Sequence, residues 1–447
     1  MKANALQIIA LAGAVIAVAA TPAVAGWSQP RTLGTPAGYV VPLGVQADAF
    51  GRLVVSWIAQ RQTSARSAAR VYTLSRSPNG TFGMPRSRLE QVGEPAIYGR
   101  GQLLYLLSRR VDSDRVTIGV AFGAAGGAAT VRTIARRIAL GASPVLAANR
   151  RGHAVIAWTE RSGQRTLIRV AERHRGRAFG RARTLGSSRF AGVVAVAVGE
   201  RGDVVVAYQR RRGARRYVIE ARFRRADGRW LRPEQAGRAA AGVELAVHVS
   251  SEGAGYLAWR AQSSGDAARI PWLIRAAVRE RNARFTESQV IDQSGVAERA
   301  VGQLALVPLR GGGAALAWSG SSRPAADRHP VRVATAAARG VFGTPVELAA
   351  DGVLGDIAAS ASEILVTWSR GGIIYAASAD TRGTFKRAQV ISSNERAEQP
   401  RAAFDAAGRP TLIWAARPDS ARAVVRTTTR DLRVRVAGRQ AVRRQLP

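Results

Sequence analysis

The chain has 447 residues, of which 67 are basic and 30 acidic, giving a formal charge of +37, and it contains no cysteine. Disulfides and thiolate metal sites are excluded, so the fold must stand on an apolar core alone, and this length is ample for one. All but two of the basic residues are arginine, the exceptions being Lys2 and Lys386. The arginines run through the whole chain, so the skew points to the base composition of the coding sequence. The densest patches (Arg210–Arg212 with Arg215 and Arg216, Arg222 with Arg224 and Arg225, and Arg430–Arg444) read as solvated edges and loops.

Residues 1–25 have the order of a secretory signal peptide: a basic Lys2, an apolar run from Ala5 to Ala20, and Ala23-Val24-Ala25 as a small-x-small cleavage site. Cleavage is expected after Ala25. With no cysteine beyond it, a lipid anchor is not expected, and no later apolar segment is long enough to span a bilayer. The mature chain, 26–447, is expected to be extracellular and a single monomeric domain.

Trp27-Ser-Gln-Pro30-Arg-Thr-Leu33 comes first, and its meaning depends on a repeat that occupies the rest of the chain. A short apolar stretch ending in an aromatic returns about every fifty residues, at Trp57, Tyr105, Trp158, Tyr208, Trp259, Trp318, Trp368 and Trp414. Glycine stands six positions earlier in all but the seventh, which has Ser362, and an aliphatic residue stands two positions earlier in every copy. Periods of this length built from short Val/Ile/Leu/Trp runs point to a repeat array of strands. Both faces of each run are apolar, so each strand must be covered on both sides. The fixed glycine fits a hairpin turn that needs positive φ, and Asp48, Asn149 and Asp405 supply the Asx start of such turns.

Between these stretches lies a second signature: an aromatic, then Pro or a small residue three later, then an aliphatic three beyond that. Phe342-Gly-Thr-Pro345-Val-Glu-Leu348 is the clearest copy, and Phe179, Phe285 and Phe385 begin others, with Phe82 and Trp230 looser. Proline fits only where no ladder donor is needed, so this segment is expected to be the outer edge strand of each unit. Trp27–Leu33 is a copy without a unit of its own, and the unit around Trp414 lacks a copy after it. The N-terminal strand 27–33 should therefore complete the last unit. Leu432–Val436 competes for the same place but matches the motif less well, which leaves 431–447 as a basic tail.

In chain order, repeat one should carry strands near Val45, Leu53–Ile58, Ala69–Ser75 and Met84–Leu89. Repeat two, with Asp112-Ser-Asp114 and the small-residue run Gly123–Ala129, diverges most. Repeats three and four are regular. Repeats five and six carry inserts at Gln262–Pro271 and Gly320–Pro330, expected as rim loops. Repeat seven, Asp351–Asn394, is the shortest. The fold class expected is all-β: an eight-bladed β-propeller of four-stranded antiparallel blades closed by the N-terminal strand, or a seven-bladed one with repeat two outside the ring.

These motifs together resemble secreted bacterial β-propeller repeat proteins of uncharacterised function, and more loosely sialidase-type and WD40-like propellers. The resemblance implies a fold. The sialidase Asp box is absent, so no catalytic residue is carried over.

No catalytic, cofactor-binding or metal-binding residue is assigned. His153, His174, His248 and His329 lack metal-pair spacing, with His153 read as a turn-edge residue, and Asp112 with Asp114 read as a hairpin tip. Glu94, Glu160, Glu244 and Asp356 are the carboxylates that could face a central channel. The expected function is binding or scaffolding at the channel mouth or loop rim, with an unknown protein or glycan as partner. The alternatives are an extracellular carbohydrate hydrolase or lyase in the same channel, and adhesion to anionic polymers through arginine. Export argues against genomic nucleic acid.

Overall fold

A computed structural model describes residues 26–430, apart from 49–50, 61–69, 79, 89–95, 99–101, 113, 125–129, 213–215, 240–243, 263–271, 294–302, 321–328, 339, 394 and 420–421. The expected signal segment, the 431–447 tail, Gly99, Glu94 and nearly all of the two inserts lie outside the described residues. The described residues are strands and turns without a helix, and they form an eight-bladed β-propeller of antiparallel blades.

Blade 1 shows the pattern. Its inner strand is Tyr39–Ala47, followed outward by Leu53–Gln60, Arg70–Arg76 and Arg86–Arg88. Blades 4 to 7 repeat it from Ala191, Glu244, Leu304 and Val353. Inner strands neighbour one another in order around the ring, and the eighth meets the first. The hairpins between inner and second strands are built as the Asx and glycine signals require. Asp48, Asn149 and Asp405 accept the N–H of Arg52, His153 and Arg409 at 2.9, 3.0 and 2.9 Å, and Gly51, Gly152 and Gly408 have φ of 79, 86 and 74°.

In five blades the second signature starts the outer strand. Phe82, Trp230, Phe285, Phe342 and Phe385 each make one bridge to the end of the third strand, and the ladder then resumes beyond the proline or small residue. Closure uses the N-terminus as expected, with a longer reach. Trp27 bridges Arg430, and the strand proper is Arg31–Ala37, which pairs antiparallel with Ala423–Thr429 of blade 8. The Trp27 indole donates to Gln389 of blade 7 at 3.1 Å, and the Arg430 guanidinium lies 5.5 Å over its ring.

Repeat two lies inside the ring, so the seven-bladed arrangement does not hold. Blades 2 and 3 are also not separate sheets. One long strand, Thr130–Ala148, is the outer strand of blade 2 and the inner strand of blade 3, giving a seven-stranded sheet. The hand-over falls between Ala139, opposite Arg115, and Leu140, opposite Glu160.

There is no single core. Eight apolar clusters each straddle two adjacent blades. In every one, the repeated aromatic of the later blade packs toward the earlier one: Trp57 on blade 8, Trp158 on blade 2, Trp259 on blade 4. The small residue just before it is buried with it, as at Ser56, Ala157 and Ala317. Buried arginines tie the same interfaces. Arg224 of blade 4, 4% exposed, pairs with Glu172 of blade 3 at 2.7 Å, and Arg279 of blade 5 pairs with Glu234 of blade 4 at 3.5 Å.

Candidate functional site

Both candidate features lie at one end of the blades, where each chain enters an inner strand and leaves the second strand of the hairpin. There the inner strands are irregular. Register shifts fall between Pro42 and Gly44, between Leu354 and Asp356, and between Glu398 and Arg401. A bulge inserts an unpaired residue and re-aims its neighbours, and here it frees carbonyls that one side chain collects. Arg401 of blade 8 donates to Leu43 O of blade 1 at 3.2 Å and to Gln303 Oε1 of blade 6 at 2.9 Å. It also donates to Gly355 O of blade 7. Four blades thus share one guanidinium.

Asp356 stands beside it. Its carboxylate accepts the N–H of Ala402 at 3.0 Å and its own chain's Ile357 N–H at 2.8 Å. Burial pushes its pKa up to about 6, while Arg401 and the two N–H groups pull the other way. Glu244 has a related role two interfaces round, between blades 5 and 6. It accepts Leu304 N–H at 2.8 Å, and burial raises its pKa against the pull of Arg260, which lies 3.9 Å away.

The second feature is a cleft of about 420 Å³ between blades 7 and 8, lined by Asp351, Arg370, Arg396 and Glu398 with Gly371 and Gly372. Its walls carry two ion pairs, Asp351–Arg370 at 3.4 Å and Glu398–Arg417 at 3.6 Å. Arg396 adds an exposed guanidinium with no carboxylate within ion-pair reach among the described residues. Its backbone is held in the left-handed region at φ 50°, and Gln399 three residues on has φ 54°. Two such non-glycine residues store strain on the order of 1 kcal/mol each or more, which persists only where the surroundings impose it. The imposing contacts are at hand: Ala397 N–H donates to Gly372 O at 2.7 Å, and Arg417 N–H to Glu395 O at 2.9 Å.

Asp356 and Glu244 both sit on inner strands, and each bonds the N–H of another blade's inner strand, at Ala402 and Leu304. Glu160 pairs with Arg169 at 3.3 Å on blade 3, so these carboxylates meet different partners in different blades. His153 packs edge-on to His174, with ring centroids 5.7 Å apart, at the opposite rim. Its pKa is lowered by burial and then by His174, Arg224, Arg151 and Arg175. His248 is half-buried, with its Nε2 enclosed and unpartnered, and burial drives its pKa to about 4. His329 donates its backbone N–H to Asp351 at 3.1 Å. Asp112 ion-pairs with Arg137 at 3.2 Å, as suits a hairpin tip. Among the described residues no three His, Asp or Glu groups come within reach of one metal ion, and no helix is long and apolar enough to cross a membrane.

Arg396 and Arg401 were invisible to sequence reasoning because arginine is so common here. The usable signal was Pro400, since a proline inside an inner strand announces a bulge.

No family model matches the chain, and no curated protein matches it. Among solved structures it is similar to the S511A mutant of a puromycin hydrolase, at 16% identity and TM-score 0.46 over 89% of this chain and 61% of that one. It is also similar to a PL25 ulvan lyase at 11% identity and TM-score 0.45, over 75% of this chain and 93% of that one. A third is a GH93 α-L-arabinofuranosidase from Fusarium graminearum, at 10% identity and TM-score 0.40, over 75% and 91%. This chain spans only about three fifths of the puromycin hydrolase. The likeness is one of fold.

Proposed function

We propose that the chain is an exported binding propeller whose cleft between blades 7 and 8 takes an acidic sugar. The observation that carries this is Arg396, presented in a strained, fixed backbone to a cleft that also holds Asp351 and Glu398. A guanidinium without a protein carboxylate offers a two-pronged donor to a ligand carboxylate. Asp351 and Glu398 accept hydroxyl hydrogen bonds but repel phosphodiesters, which favours a uronic acid over nucleic acid. The Lys2 to Ala25 leader supports export. Calorimetric titration with a uronic-acid tetrasaccharide is expected to show binding that Arg396→Ala weakens at least tenfold, in the range of a charge-assisted pair. Unchanged binding in the variant would overturn the assignment.

A second reading, carbohydrate hydrolysis or elimination in the same cleft, is favoured by its two carboxylates, Asp351 and Glu398, set among arginines. Release of reducing ends or of unsaturated products from polyuronates would establish it, and intact polymer after prolonged incubation would exclude it for those substrates.

A further inference from the structure

Across the ring from blade 8, blade 4 carries an exposed aromatic at the corresponding place. Phe190 stands where the chain enters the inner strand Ala191–Val198, as Arg396 does before the inner strand of blade 8. It is 43% exposed, while Ala191 beside it is buried. Its backbone is clamped on both sides: Phe190 O accepts Arg211 N–H at 3.1 Å, and Phe190 N–H donates to the Ser188 hydroxyl at 3.4 Å, which itself donates to Arg211 O at 3.3 Å. The ring meets Tyr217 edge-on, with centroids 5.9 Å apart. It also lies over the inner-strand bulge at Gly192, where an added Cβ would stand 3.2 Å from Phe190 Cε1. These contacts fix the exposed ring in place.

Its surroundings are cationic. Arg189, Arg211 and Arg212 are exposed around it. Glu220, on the third strand of this blade, is already engaged by the Tyr208 hydroxyl, by Arg210 at 2.9 Å and more loosely by Arg212 at 3.9 Å. A fixed aromatic surface with exposed arginines on the adjoining residues Arg189 and Arg211 matches a partner that is apolar on one face and anionic at its edge. A pyranose bearing a carboxylate has that form, because its C–H face covers an aromatic ring while its carboxylate meets arginine.

We infer that Phe190 and the arginines around it form a second subsite for the same acidic polysaccharide, so that one chain lies across this face of the ring from the blade 7–8 cleft to blade 4. The inference rests on the cleft reading. The two subsites belong to opposite blades of a rigid ring and open on the same face, so a long chain engages both. Binding at the second is then intramolecular, and avidity exceeds either contact by about 100-fold or more. A short oligosaccharide fills one subsite only.

The test compares a uronic-acid tetrasaccharide with a long polyuronate on the wild-type protein, Phe190→Ala and Arg396→Ala, with melting curves to confirm folding. Phe190→Ala is expected to lower affinity for the long chain about 100-fold and to leave the tetrasaccharide, held in the cleft, unaffected. Arg396→Ala weakens both. If Phe190→Ala binds the long chain as the wild type does while Arg396→Ala weakens it, the second subsite is overturned and the cleft reading stands. If neither sugar binds the wild type, both fall. Equal affinity for polyaspartate or single-stranded DNA of matching length would overturn the assignment to a saccharide.

Discussion

Gly34 and Trp57 meet where the ring closes. Gly34 lies in the N-terminal strand that completes blade 8, and an added Cβ there would stand 3.0 Å from Cζ2 of Trp57 in blade 1. The relationship recurs: a Cβ at Gly237 of blade 4 would stand 2.4 Å from Cζ2 of Trp259, and one at Gly186 of blade 3 would stand 3.3 Å from the Tyr208 hydroxyl. In each case the outer strand of one blade omits a side chain so that the next blade's aromatic can lie against it. At blade 5 the same position is Asp292, which instead accepts the Trp318 indole N–H at 2.8 Å.

The cost of filling these seats should follow the clearance. Gly237→Ala, with the shortest approach and no special φ, is expected to cost about 1–3 kcal/mol through overpacking alone. Gly34→Ala adds a left-handed backbone at φ 71° to a looser contact. Gly186→Ala should be mildest. Urea midpoints of the three variants measure the order, and a Gly237→Ala protein as stable as wild type would contradict the packing.

Trp158 is fully buried between blades 2 and 3. Trp158→Ala should cost about 3–5 kcal/mol, read from the same denaturation curves. A loss under about 1 kcal/mol is that of a surface change and would place the side chain outside the interface.

Glu172 is the hinge of a buried polar network, accepting the Trp230 indole at 2.8 Å and pairing with Arg224 at 2.7 Å. Glu172→Ala leaves a guanidinium that is 4% exposed without its counter-charge, and a loss of about 3–5 kcal/mol is expected. Glu172→Gln keeps an acceptor for Trp230 and should cost less. Equal losses in the two variants would show that the charge opposite Arg224 carries the whole interaction and that the indole bond adds nothing.

Two groups act on stability in opposite directions with pH. His248, with pKa lowered to about 4 from an ordinary 6.5, binds a proton less readily in the folded state, so its contribution is present above pH 6.5 and lost as pH falls toward 4. Asp356, raised to about 6 from 3.8, holds its proton more readily in the folded state. Its contribution is therefore present below about 3.8 and lost as pH rises toward 6. Each is worth on the order of 3 kcal/mol across its window. The wild type should change little between pH 4 and 6.5. Asp356→Asn should lose stability on acidification and His248→Asn on alkalinisation, and parallel profiles for the two variants would refute the assignment.

The repeat, its turns, the outer-strand signature and the closure were legible because they depend on local chemistry: positive φ at glycine, Asx turns, and proline at an edge. Three things were not. The shared strand Thr130–Ala148 hides because repeat two lacks the aromatic-Pro signature that ends the other blades. The seats at Gly34, Gly186 and Gly237 come directly after the aliphatic residue of a motif already recognised, but their meaning requires knowing which blade comes next. Arg401 and Arg396 gain their roles from bulges in inner strands, which are set by cross-strand register.

The N-terminal strand Arg31–Ala37 completes blade 8 by pairing with Ala423–Thr429, and that pairing closes the ring. The protein has no native cysteine, so a single engineered pair reads that closure directly. Thr32 and Arg426 are opposite one another in the closing ladder, within the span of a disulfide. After mild oxidation of the Thr32→Cys, Arg426→Cys protein, thiol titration should find no free thiol and the chain should remain monomeric on a non-reducing gel. Two titratable thiols, or dimers linked through them, would contradict a ring closed in this way.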